Sequence, residues 1–141
     1  MMTERDEAVR TQNQNAVTAQ KRLRIELLVS GLCDWVSLAE VTTVINHYHL
    51  AETIPAQQDL ALGAIRSLVE DGLMQIGDLP GGDGKFPAWD LSVDAAMERV
   101  RDRFVRHYDN PTGWEFTIWL GITESGKRMA TALKAEASKP S

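Results

Sequence analysis

Gly72 divides two kinds of spacing. Before it, Ala61, Ile65, Leu68 and Val69 recur as one face of a helix, while Gln57, Gln58, Asp59, Arg66 and Glu70 fall off that face. Pro55 suits the first turn of this helix, and Gly72 suits the left-handed residue that ends it. After it, LMQIGDL reads as a strand and PGGDGKFPAW as a flexible loop. Helix, glycine, strand and glycine-rich tip in one stretch call for a small α+β fold, in which other helices bury the apolar face.

The flanking segments supply those helices. From Ala16, Val17, Leu23, Leu27 and Leu28 form a stripe that should stop near Gly31. Ser37 followed by Glu40 is a capping box that starts a helix from Leu38 to about His49, burying Val41, Val44, Ile45 and Tyr48. Ser92 with Asp94 opens another to about Tyr108, with Val93, Met97, Val100, Phe104 and Tyr108 inward. WEFTIWLGI alternates as a strand, placing Trp114, Phe116, Ile118, Leu120 and Ile122 on one face and Trp119 on the other. Thr123 caps a last helix with Met129 and Leu133 inward. Trp35 and Trp114 read as core, and Trp89 as either core or an interface anchor.

A chain of 141 residues is long enough for one domain with a sizeable core. The polar start, residues 1–15, reads as a flexible tail, residues 16–137 as a single domain, and 138–141 as a frayed end. No apolar run approaches the ~20 residues of a membrane span, and nothing resembles an export signal, so a cytoplasmic location is expected. The lone cysteine, Cys33, sits beside Leu32, Trp35 and Val36 and reads as a buried, inert thiol.

The order helix, short strand, helix, helix, strand, strand, helix resembles a winged helix-turn-helix domain. The phrase IWLGITESGKRMA resembles the end of the wing in regulators of the MarR and PadR kind, and the resemblance covers roughly Leu23 to Leu133. It implies a DNA-reading second helix and a dimer seam built from the first and last helices. One departure stands out: residues 80–113, which carry a helix, separate the two wing strands.

Charge argues against the DNA reading. Residues 31–92 hold nine acidic groups against Arg66 and Lys85, a local charge of −7 within a chain of −5. Duplex DNA is held largely by cations on phosphates. Gln57 and Gln58 could pair with adenine, Arg66 could reach a phosphate or guanine, and Lys85 could touch the backbone. These four are the DNA-binding candidates of a transcriptional regulator. The favoured expectation is instead a non-catalytic module that engages a basic protein surface through Asp59, Glu70, Asp71, Asp83 and Trp89, in the manner of an antitoxin or immunity-type inhibitor.

The stripe Arg99, Arg101, Arg103 and Arg106 could hold an acidic partner or nucleic acid, but it is interleaved with Glu98 and Asp102, and the favoured reading is a solvated face with helical ion pairs. No catalytic motif occurs and no cofactor is indicated. His47 and His49 point to different helix faces, and PGGDGK lacks the spacing of a phosphate loop, so no metal or nucleotide site is expected.

Overall fold

The computed structural model describes residues 4–137, with side chains described from Thr18 onward. Five helices, α1 (Glu4–Gly31), α2 (Leu38–His47), α3 (Ile54–Glu70), α4 (Val93–Arg101) and α5 (Glu124–Ala137), surround a small sheet of β1 (Val36–Ser37), β2 (Met74–Gly77) and β3 (Trp119–Ile122). The fold is therefore mainly α with a small antiparallel sheet. Among the described residues, no helix is long and apolar enough to cross a membrane.

The helix boundaries follow local chemistry. The Ser37 hydroxyl accepts from the Glu40 amide at 3.2 Å, opening α2. The second half of the capping box is replaced, because the Glu40 carboxylate accepts from the Ser30 hydroxyl at 3.0 Å and ties α2 to α1. The helix ends at His47, two residues early, and His49 takes a positive φ of 51°. Tyr48 is consequently exposed rather than inward. Thr53 caps α3, with its side chain accepting from the Ala56 amide, and Pro55 occupies the first turn. Gly72 closes that helix at φ 71°.

Helix α1 begins at Glu4 and so takes in residues read as a tail; Val17 lies outside the described side chains, as do residues 1–3 and 138–141 altogether. Leu23, Leu27 and Leu28 are buried as expected. Cys33 is exposed, contrary to the reading of a buried thiol. After Gly31 the chain makes a tight turn, with Leu32 and Cys33 amides bonded to Val29 and Ser30 carbonyls; Leu32 packs on the core and Cys33 is left outside. Trp35 is only half-buried.

Strand order is β1-β3-β2, antiparallel throughout. Leu120 stands between Val36 and Ile76, and all three are buried. That row joins the sheet to the helical core of Leu23, Leu27, Val41, Ile45, Ile65 and Leu68. The expected strand from Trp114 is shorter than its alternation suggests. Residues 114–118 form turns, because Trp114 docks under the insert and draws the chain off the pleat. Phe116 is accordingly 58% exposed instead of inward. Met129 is exposed too; Ala130 takes the buried position on α5, with Leu133 partly buried beside it.

Residues 78–118 separate β2 from β3, and part of this excursion is bound to the sheet. The Asp78 amide donates to the Pro87 carbonyl, and the Trp89 amide to the Ile76 carbonyl, covering the free edge of β2. An open strand edge is a template for unwanted pairing, so this cover is protective. The Phe86 ring lies over Gly77 and Gly121; a Cβ on Gly121 would stand 2.7 Å from it. The loop expected to be flexible is thus anchored from Phe86 to Trp89.

Candidate functional site

The helix of the insert lies on α3. Ser92 caps α4 by accepting from the Ala95 amide, and Met97, Val100 and Phe104 face inward. The helix continues as a π segment, Asp102–Arg106, in which the His107 amide reaches back to the Asp102 carbonyl. Phe104, Tyr108 and Trp114 then form an aromatic cluster: Trp114 is edge-on to Phe104 with ring centroids 4.9 Å apart and stacked on Tyr108 at 5.2 Å. The Trp114 indole donates to the Tyr108 carbonyl at 3.1 Å, satisfying its one polar atom.

This packing determines what α3 can present. Gln58 was expected outside, yet it is 8% exposed and its amide donates to the Phe104 carbonyl at 3.2 Å. Gln57 donates to Asn46 Oδ1 at 2.8 Å and to the Ala51 carbonyl at 3.2 Å. Arg66 pairs with Glu70 at 2.8 Å and with Asp94 of α4. Its guanidinium pKa is raised above the ordinary value, chiefly by the Asp94 hydrogen bond, against a lesser opposing effect of desolvation. Three of the four DNA-binding candidates are therefore engaged within the fold; Lys85 is exposed on the loop.

Removing the Gln58 amide tests this bond. Gln58→Ala should lower unfolding free energy by roughly 1–3 kcal/mol, the cost of a lost buried hydrogen bond and its unpaired carbonyl. Urea denaturation measures it; an unchanged midpoint would show that α4 does not depend on Gln58.

The acidic candidates do not converge. Asp71 is bound by Arg24 of α1 at 2.9 Å, and Glu70 by Arg66. Asp83 sits at the loop tip, where it accepts from the Lys85 amide at 3.1 Å. Trp89 is half-buried against the core, with its indole bonded to Asp78 at 2.8 Å. Asp59, like Asp83, is exposed and has no ion-pair partner among the described residues, but it stands on α3 rather than at the loop tip.

Asp59 also lines two grooves. One, of about 310 Å³, runs between α3 and α4, where Asp94, Glu98, Arg66 and Arg101 join it. The other, of about 360 Å³, lies between α1 and the start of α3, with Leu50, Ala51, Ala56 and Leu60 as apolar lining. The latter adjoins a larger opening of about 670 Å³ that shares Ala19, Leu50, Ala51 and Ala56 and adds Glu52 at its rim. Glu52 likewise has no ion-pair partner among the described residues. Sequence reasoning passed over Glu52, Leu50 and Ala51. Their only signal was a polar turn interrupted by apolar residues, and such turns are common.

Among the described residues, no three His, Cys, Asp or Glu side chains converge in a form that could hold a metal ion. Exposed carboxylates beside an apolar furrow can attract and orient a cationic, amphipathic surface. Comparison with known proteins returned no matching family model, no matching curated protein and no matching solved structure.

Proposed function

We propose that this chain is a non-catalytic protein-binding module on a winged-helix-like scaffold, and that it engages a basic partner in the cytoplasm. The strand order β1-β3-β2, with α2 and α3 preceding β2, supports the scaffold reading. The observation that carries the functional reading is the covering of α3 by α4. It engages Gln58 internally, so one side of the helix that would enter a DNA groove faces the protein's own insert, which favours a protein partner over DNA.

The partner meets the furrow between α1 and the α2–α3 turn. Leu50, Ala51, Ala56 and Leu60 offer apolar contact, while Glu52 and Asp59 supply carboxylates that have no ion-pair partner among the described residues, although Arg22 lines the same opening as Glu52. Exposed rim charges act mainly on association rate and selectivity. An antitoxin or immunity-type inhibitor, masking a basic enzyme, is one member of this class.

Affinity capture on the immobilised chain, at low and at moderate salt, tests the proposal. The parent should retain a basic protein, and Glu52→Gln with Asp59→Asn should weaken that retention about threefold to tenfold at low salt and less at moderate salt, as expected for exposed rim charges that speed association. Equal retention by the double variant would overturn the site. Salt-sensitive binding of genomic DNA fragments that disappears in a Gln57→Ala, Gln58→Ala variant would overturn the function and restore a transcriptional regulator.

A further inference from the structure

The arginine stripe of the insert does not behave as a ladder of ion pairs. Among the described residues only Arg106 is ion-paired along it, binding Glu98 and approaching Asp102 at 3.7 Å. Asp94 is taken by Arg66. Arg99 and Arg103 have no carboxylate partner among the described residues, and both lie against the Trp89 indole, at 4.7 and 5.5 Å from its centroid.

Trp89 is a fixed platform. Its backbone amide is bonded to Ile76 of β2, its indole nitrogen to Asp78, and its ring packs on the core. A guanidinium held against an aromatic ring keeps its in-plane N–H groups free to donate. Arg99 and Arg103 are four residues apart on one face, where like charges repel. Two guanidiniums therefore lie against one indole ring on the insert, and among the described residues no carboxylate stands within ion-pair reach of either.

We propose that Arg99 and Arg103, held by Trp89, form a binding site for a phosphate group. A phosphate offers several oxygens around one centre and can bridge two forks, whereas a carboxylate matches a single one. The anion would also relieve the repulsion between the two cations. Asp78 is held at the indole nitrogen, and Asp90 follows Trp89 in an exposed position; neither is within ion-pair distance of these arginines. Arg101 instead lines the groove with Asp59 and serves as the control.

The test is nuclear magnetic resonance of the full chain labelled with nitrogen-15, following the arginine Nε–H and tryptophan indole signals. Inorganic pyrophosphate and a short oligothymidylate are titrated separately, with sodium chloride at matched ionic strength as reference. Arg99, Arg103 and Trp89 should shift together, and Arg99→Gln or Arg103→Gln should each weaken binding about tenfold, the size expected for a lost charge-assisted hydrogen bond. Arg101→Gln should leave it unchanged. A response to pyrophosphate alone assigns a free or terminal phosphate; a response to oligothymidylate assigns a phosphodiester backbone. Shifts no larger than those from chloride, or an equal loss in Arg101→Gln, would overturn the site.

Discussion

Phe104→Ala is expected to destabilise the domain by about 3–5 kcal/mol, the usual cost of deleting a fully buried aromatic side chain. Phe104 is 0% exposed and touches both Trp114 and Tyr108. Those ring contacts add about 0.5–1.5 kcal/mol per pair to what burial alone supplies. The residue also presents the carbonyl that receives Gln58, so the loss reaches α3. Urea unfolding with a two-state fit gives the number. A single domain is commonly stable by only about 5–15 kcal/mol, so Phe104→Leu provides a milder companion if the alanine variant is unfolded. Amide exchange should speed up in α4 and along the covered side of α3 while the β1–β3 pairing stays protected. A loss below about 1 kcal/mol, with exchange unchanged, would mean the aromatic cluster does not hold the insert down.

Gly126→Ala tests a close approach at the other end of the sheet. Helix propensity taken alone predicts a gain of roughly 1 kcal/mol, because alanine is the better helix former. The fold predicts the opposite sign. A Cβ at position 126 would stand 2.1 Å from the Leu73 carbonyl oxygen and 2.7 Å from Ile122 Cγ1. The first neighbour is backbone and cannot rotate away.

It is also held in place twice. The Thr123 amide donates to that Leu73 carbonyl at 3.0 Å, and the Thr123 hydroxyl donates to the Gly72 carbonyl at 2.6 Å while capping Gly126 at 3.0 Å. Overpacking of this kind typically costs about 1–3 kcal/mol, and the rigid backbone neighbour places this case at the upper end. The melting temperature should fall by several degrees, on the scale of about 3–5 °C per kcal/mol for a chain of this length. Gly82→Ala is the control, since its Cβ would meet nothing within 4 Å. A Gly126→Ala variant as stable as the parent would show that α5 is free to move off the Leu73 strand entry.

The two substitutions differ in how far they were visible beforehand. The Thr123 to Gly126 phrase could be read as a helix start with a glycine inside it. Nothing in the sequence said that Leu73, some fifty residues earlier, would press against that glycine. Phe104 could be assigned to an apolar stripe, yet the pairing of its carbonyl with Gln58 follows from no periodicity. Gln58 itself was misplaced for the same reason. Polarity puts a glutamine outside, and only the arrival of a second helix with an unpaired carbonyl makes burial favourable.

The acidic candidates show a related division. A net charge along a segment is a property of the sequence, but an electrostatic surface depends on which arginines come back to it. Arg24 pairs with Asp71 and Arg66 is shared by Glu70 and Asp94, whereas Asp59 and Glu52 have no ion-pair partner among the described residues.

What the sequence alone determined is the local order: the starts at Ser37 and Ser92, the helix entry at Pro55, the stop at Gly72, and the apolar faces of α3 and α4. Each of these depends on interactions within a few residues. Only the tertiary structure decided that the insert covers α3, that Trp89 carries two arginines, and that Asp59 borders an open furrow. Those outcomes come from contacts between segments far apart in the chain, where burial and pairing outweigh any preference a single stretch expresses.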